Sequence, residues 1–374
     1  MPAPTYILAG GGTGGHLYPG LAVAAELLRL QGDAQIVFAC SNRDIDRRIL
    51  EPLPYAMVPQ PVVPIPRGPR GWGRFARCYL ASARLARDLV KDLKPAAVLG
   101  LGGFAAGPVV VRAAKAGVRT ALLNPDAVPG KANRLLAGRV DAVFTQFEQT
   151  LGSFPPSIRA RVRCVGCPIR PSIVGADPAA GREFFGLRTD RRTLLVFGGS
   201  LLAESLSLAL EALAGDLAPL ASGWQVLHVS GSAHAGRIEQ ALQSAGLAVR
   251  TVKYCERMDL AYAAADLVLA RCGAVTVAEL MATGAPAVLM PYPFHKDQHQ
   301  RLNALAMERL GAGRIVTDAK DPVANAGLLR EAMVPLMADQ TALEAMRRSA
   351  AGAGKPHAAA EVAAFLAARA GVEV

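Results

Sequence analysis

The chain has 374 residues, comfortable for two ordinary domains and too long for one typical hydrophobic core. Hydrophobic residues make up 52% and aromatics only 5%, which excludes a disordered chain and leaves the cores to Leu, Val and Ala. The net charge of +11 sits in residues 1–165, with 21 Lys and Arg against 10 Asp and Glu, because residues 166–374 hold 20 of each; that asymmetry points to an anionic partner for the first half, nucleic acid or an acidic membrane surface.

No run of eighteen apolar residues occurs, and the first residues have neither the basic lead nor the apolar core of a signal peptide, so a cytoplasmic protein is expected. Six cysteines, at 40, 78, 164, 167, 255 and 272, are too sparse for a disulfide framework. Cys164 and Cys167 form a lone pair, better read as ordinary thiols than as a metal site.

In chain order, residues 5–10 read as a buried strand running into glycines, 17–30 as a helix with Leu17, Leu21, Ala24, Ala25 and Leu28 on one face, and 36–39 as the next strand. This opens a βαβ unit with short connections. Residues 59–73, rich in Pro, Gly and Arg, read as a loop, and Arg74–Leu93 as a helix stopped by Pro95. Strand 96–99, a glycine turn at 100–107, helix 108–116, strand 118–123, the turn 124–130 and strand 142–145 follow. The proline-rich stretch 154–178 is where we expect the chain to cross between domains. A second series then runs: strand 193–197, helix 202–214, strands 225–229 and 248–252, helix 258–264, strand 267–270, helix 275–283 and strand 287–290. An Ala-rich helix at 357–370 has no strand after it. Both halves open with an apolar strand entering Gly-Gly-Thr or Gly-Gly-Ser, so two Rossmann-like α/β domains facing each other across a cleft are expected. The expected boundaries are 1–165, 166–345 and a helical segment 346–374 that packs back on the first domain.

Several segments carry chemistry. Gly10 to Gly15 bares the backbone N–H groups at the end of the first strand, an anion seat, and His16 follows it. Histidine suits a general base at neutral pH, although a packing or capping role fits the same place. Gly10, Gly12 and Gly15 also match a dinucleotide pattern, but the nearby acid, Asp33, precedes the second strand instead of ending it. Glu279, three residues after Thr276, suits the two hydroxyls of a ribose, or closes a capping box. The run Pro291–Gln300 and Asn303 supplies amides and carboxylates for sugar hydroxyls, and its His295 and His299 lack the partners of a zinc site. Ser200 at a helix start suits a phosphate, and Arg170 could reach the same group from the domain junction. Within 67–94, eight Lys and Arg against two acids are interleaved with Trp72, Phe75 and Tyr79. Arg74 and Arg77 beside these rings suit a bilayer headgroup region, while an ordinary solvated helix fits too, and none of the usual nucleic-acid modules is present.

Over nearly its whole length the chain resembles glycosyltransferase family 28, in particular the MurG family of inverting GT-B enzymes that add N-acetylglucosamine to undecaprenyl-linked muramyl-pentapeptide. The shared motifs are GGTGGH at 11–16, GLGGFAAGP at 100–108, VGCPIR at 165–170, GGS at 198–200, YCERM at 254–258, ADLVLARCGAVTVAEL at 265–280 and PYPFHKDQHQRLNA at 291–304. The resemblance implies that His16 is the base and that Thr13, Gly14, Gly15, Gly102, Gly103, Asn124 and Asn133 meet the lipid-linked acceptor. It implies that Arg170, Ser200, Tyr254, Cys255, Met258, Glu279, His299 and Gln300 hold UDP-N-acetylglucosamine. It further implies no bound metal or cofactor, a peripheral place on the anionic cytoplasmic face of the cell membrane through Trp72, Arg74, Phe75, Arg77 and Tyr79, and other cell-wall enzymes as neighbours. The chain departs from the family's usual His-Glu-Gln-Asn at Leu123-Asn124-Pro125-Asp126, and from its usual Gln-Gly-Ala after the GGS at Leu201-Leu202-Ala203. A transferase for another glycolipid, or a weakened UDP-sugar-binding protein of the cell wall, are the alternatives.

Overall fold

The computed structural model describes residues 3–66, 68–198, 204–231, 233–294 and 297–368. Its chain divides into two units: residues up to Arg170 together with those from His357 onward, and Pro171–Pro356.

Unit 1 is built on seven parallel strands: β1 (Thr5–Gly10), β2 (Gln35–Ser41), β3 (Ala56–Gln60), β4 (Ala97–Gly102), β5 (Arg119–Asn124), β6 (Ala142–Thr145) and β7 (Val162–Cys164). Their order in the sheet is β3-β2-β1-β4-β5-β6-β7. Successive side chains of a strand point to opposite faces, and here both faces are covered. Tyr6 and Leu8 of β1 join one core with Phe38, Leu99 and Phe144; Ile7 and Ala9 join the other with Val37, Val98, Leu122 and Val143. Burial on both sides explains why the strands read as unbroken apolar runs. The crossovers include α1 (Gly14–Leu30), α2 (Asp44–Leu50), α3 (Trp72–Leu93) and α4 (Ala106–Lys115). The helix Ala358–Ala367 completes the first core by inserting Ala358, Val362, Ala363 and Leu366 beside α1, and Phe365 meets Phe144 edge-on at 5.4 Å. Residues 346–356 stay in unit 2, so the returning segment starts at His357.

Unit 2 repeats the plan with six parallel strands, β8 (Arg192–Phe197), β9 (Trp224–Val229), β10 (Ala248–Val252), β11 (Leu267–Ala270), β12 (Ala287–Leu289) and β13 (Gly313–Ile315), in the order β10-β9-β8-β11-β12-β13. Both sheets therefore reverse direction beside their first strand, at β1/β4 and at β8/β11. Such a switch point leaves a crevice at the carboxyl ends of the strands, where open α/β sheets bind ligands.

The structure adds elements that the pattern of apolar residues did not announce. The loop expected at 59–73 gives up its ends, Pro59 and Gln60 to β3, Trp72 and Gly73 to α3. Helices α2, Pro178–Phe185, Ala235–Ser244, His299–Arg309, Pro322–Ala338 and Gln340–Ala351 were likewise unforeseen, as were β7 and β13.

Candidate functional site

In unit 1, the loop after β1 and the loop after β4 flank the switch point. His16 stands in the first turn of α1, half-buried, with Nδ1 3.0 Å from the carbonyl oxygen of Gly11 and 3.4 Å from Thr13 Oγ1. A carbonyl can only accept, so the neutral ring carries its proton on Nδ1 and keeps the lone pair on Nε2. Gly102 and Gly103 both have positive φ, at 101° and 74°, and form the floor on which the imidazole rests. A Cβ at Gly102 would lie 3.1 Å from Cδ2 and Nε2 of His16, and one at Gly103 would lie 2.9 Å from the Gly11 oxygen. Thr13 and Gly15 are exposed beside the ring, whereas Gly14 is buried.

Two buried polar residues that sequence reasoning missed hold these loops. Asp46 of α2 accepts from the Gly12 N–H at 2.6 Å, and from the N–H and hydroxyl of Ser41 at 2.8 and 2.7 Å. Gln60, at the end of β3, donates to the carbonyls of Ala39 and Ala105, tying β2 to the start of α4. Only spacing in space, not in sequence, reveals either one. The dinucleotide reading loses its acid here, since β2 ends at Ser41 and Asp33 lies in the turn before that strand. At the end of β5, Asn133 donates to Leu123 O and Asn124 Oδ1, while Asn124 donates to Asp126 O. The departure at 123–126 thus forms a closed turn of its own. Arg170 lays its guanidinium 5.1 Å from the ring centre of Tyr18 in α1.

In unit 2, the segments after β10, β11 and β12 carry the remaining described candidates. Glu279 is buried in the helix Ala274–Thr283 and accepts from the Tyr262 hydroxyl at 2.9 Å. Gly273 is the N-cap of that helix, so Thr276 lies inside it and the capping-box reading fails. Gln300 Oε1 accepts from the N–H groups of Tyr292 and Cys272 at 2.9 and 3.4 Å, and Asn303 donates to Cys272 O at 3.2 Å. These amides fasten the β11 turn to the loop after β12. His299 Nδ1 is 2.7 Å from Asp297. Tyr254 is 62% exposed, and Cys255 and Met258 follow it beyond the carboxyl end of β10. Ser200, the departure Leu201–Ala203, and His295 lie outside the described residues.

Beneath these loops runs a network the sequence did not disclose. Arg271 donates to the carbonyls of Met290 and Pro291, to Ser205 Oγ and to Asp318 at 2.7 Å. Burial alone would raise the Asp318 carboxyl, but hydrogen bonds from Asn325, Arg271, the Lys320 amide and Ser205 outweigh it and hold the group below the usual carboxylate range.

Residues 6–145 match the glycosyltransferase family 28 N-terminal domain and residues 193–362 its C-terminal domain. The chain belongs to glycosyltransferase family 28. A relative from Leifsonia xyli subsp. xyli, named as a UDP-N-acetylglucosamine N-acetylmuramyl-(pentapeptide) pyrophosphoryl-undecaprenol N-acetylglucosamine transferase, is 40% identical over 356 residues, 93% of this chain and 94% of that one. A relative of the same name from Mycolicibacterium smegmatis is 38% identical over 363 residues, covering 96% and 92%. The crystal structure of Acinetobacter baumannii MurG superposes with a TM-score of 0.76 at 25% identity, over 98% of this chain and 99% of that one. A UDP-GlcNAc 2-epimerase from Neisseria meningitidis, 14% identical with a TM-score of 0.69, shares the fold alone.

This family 28 glycosyltransferase thus has the GT-B fold of two Rossmann-like units. On its unit 1, α3 fully buries only Ser82, Ala86 and Val90, packs Leu89 and Leu93 partly against the core, and leaves Trp72, Tyr79 and Leu80 exposed. Trp72 meets Phe75 edge-on at 5.6 Å, Phe75 stacks with Tyr79 at 6.2 Å, and Arg74 and Arg77 flank them in the open. Along the chain, α3 leads from β3 to β4. Farther along, Arg87, Lys91, Lys94, Arg112 and Lys115 line a groove of about 650 Å³. Among the described residues, no helix is long and apolar enough to cross a membrane, and no group of three or more His, Cys, Asp or Glu could hold a metal. Cys164 and Cys167 direct their thiols to the carbonyls of Gln146 and Pro168.

Proposed function

We propose that this glycosyltransferase moves N-acetylglucosamine from UDP-N-acetylglucosamine to the C4 hydroxyl of the muramyl sugar on undecaprenyl-diphospho-muramyl-pentapeptide, converting lipid I to lipid II. The observation that carries the reading is the fixed imidazole of His16 at the unit 1 switch point, with Nε2 unprotonated, in a chain so similar to transferases of that name. Nε2 takes the proton of the C4 hydroxyl as its oxygen attacks C1 of the donor sugar. The bond from C1 to the diphosphate oxygen breaks, its electron pair leaves with UDP, and attack from the opposite face inverts the anomeric centre to a β-1,4 link. Growing charge on the diphosphate is met by Arg170, Ser200 and helix-terminal N–H groups. Glu279 takes the ribose hydroxyls, Tyr254, Cys255 and Met258 surround the uracil, and His299 and Gln300 face the sugar. Thr13, Gly14, Gly15, Gly102, Gly103, Asn124 and Asn133 receive the acceptor head.

The aromatic row of α3 and its arginines hold the enzyme at the anionic cytoplasmic membrane surface, where the acceptor lipid resides and other cell-wall enzymes work. Labelled UDP-N-acetylglucosamine incubated with lipid I should give a labelled, β-linked lipid product. His16→Ala should lower turnover by roughly 10²–10⁴ with UDP affinity unchanged. Full turnover in a folded His16→Ala protein would remove the base, and equal use of simpler glycolipids would reassign the acceptor.

A further inference from the structure

We infer that Asp46 is a positioning residue for His16, acting through one peptide group of the glycine loop; the inference rests on His16 being the base. The Gly12 N–H that Asp46 Oδ1 accepts at 2.6 Å and the Gly11 carbonyl that faces His16 Nδ1 at 3.0 Å belong to the same amide. That amide is planar and stiff, so its two ends cannot be aimed independently. A carboxylate on its N–H end draws the N–H outward and makes the carbonyl a stronger acceptor, as bonded chains polarise one another. The carboxylate, the peptide and the imidazole thus stand in line, and the line favours the Nδ1–H form that leaves Nε2 free to take a proton. It also favours the imidazolium that forms once that proton arrives. No proton passes through the amide; its part is orientation and polarisation.

The surroundings fit this task. Asp46 has no solvent exposure, and a buried carboxylate is tolerated only when hydrogen-bonded. Its second oxygen takes two bonds from Ser41, which fixes the side chain to the end of β2. Arg43 donates to the Gly12 carbonyl at 3.1 Å and steadies the next peptide. Gly12 has φ of 87°, a conformation that favours glycine, and a Cβ on Gly11 would run into Asp46 Oδ2. The glycines at 11 and 12 are therefore needed for the relay as well as for any ligand.

The test uses the full enzyme with lipid I and UDP-N-acetylglucosamine. Asp46→Asn should lower kcat by about 10–100-fold, the range for partners that orient an active group, with KM for the donor nearly unchanged and the acidic limb of the pH–rate profile moved to lower pH. Combined with His16→Ala it should add no further loss, as expected of residues that act as one unit. Losses that multiply, or a folded Asp46→Asn protein with wild-type kcat and profile, would overturn the inference while a slow His16→Ala enzyme left the base in place. A fast His16→Ala enzyme would instead sink the base and the relay together. Imidazole ¹⁵N spectra of the wild-type protein, with the His16 signals assigned by their loss in His16→Ala, keep the relay refutable even if Asp46→Asn does not fold. The Nδ1–H tautomer is expected, and an Nε2–H tautomer refutes the relay.

Discussion

Lowering the pH from 8 to 5 is expected to cost unit 2 about 2 kcal/mol of stability through a single side chain, His228. The ring sits on β9 at 1% exposure, with Nε2 3.0 Å from Ser207 Oγ and, among the described residues, no hydrogen-bond partner for Nδ1. Burial pushes its pKa down from 6.5 to about 4. Between those values the unfolded chain binds a proton that the folded one refuses. Stability is therefore complete above pH 6.5, falls as the pH drops toward about 4, and levels off below. The full loss approaches ~3 kcal/mol, because each tenfold drop in proton affinity on folding is worth about 1.4 kcal/mol, and roughly two thirds of it is reached at pH 5. The chain has two tryptophans, of which Trp224 is buried in the unit 2 core and bonded to Met337 O, while Trp72 lies exposed on unit 1. In a Trp72→Phe background, fluorescence-detected urea unfolding follows unit 2 alone. His228→Gln keeps a polar side chain beside Ser207 but cannot titrate, so subtracting its pH dependence cancels every other group. A difference near zero between pH 8 and pH 5 would refute the reasoning.

Tyr262→Phe removes the hydroxyl that steadies Glu279, a bond to a charged group worth about 1.5–3 kcal/mol; calorimetry should find UDP bound roughly tenfold more weakly, with kcat at saturation little changed. Arg271→Met strands the buried Asp318 carboxylate and should destabilise unit 2 by about 3–5 kcal/mol, read from the same Trp224 transition. Because the Asp318 carboxyl is held below its ordinary value in the fold, its contribution is present above the unfolded value near 3.9 and is lost as the pH falls through the lower folded one. Asp318→Asn should flatten that acid limb. Replacing Trp72, Phe75 and Tyr79 together by Ser should weaken sedimentation with anionic vesicles at least tenfold while leaving turnover on detergent-dispersed acceptor intact.

The central strands were legible because they are buried on both faces, whereas the short edge strands β7 and β13, partly open to solvent, were not. Tyr6 to Ala9 or Leu267 to Ala270 allow no polar residue, so an apolar run bounded by glycine is their signature. Several helices were not legible, for the converse reason. Helix α2 buries just Asp46 and Leu50, and His299–Arg309 buries Asn303, Ala304 and Met307, which is too little apolar surface to make a stripe. The glycine turns and His16 showed themselves through composition alone. Their supports did not, because Asp46 lies 34 residues from Gly12 and Gln60 45 from Ala105, and nothing in a linear pattern relates such pairs. Asp318 and Arg271, 47 residues apart, were hidden in the same way.

The helix Ala358–Ala367 belongs to unit 1 although all of unit 2 precedes it in the chain. During synthesis, β1 to β7 leave the ribosome first, yet the groove that takes Val362, Ala363 and Leu366 stays open until those residues follow, some 190 positions after Arg170. The nascent first half must wait with oily surface uncovered, which makes it a natural client for chaperones. A stop codon placed before 358 would leave that surface bare for good, and the truncated product should be degraded or aggregate instead of merely working slowly.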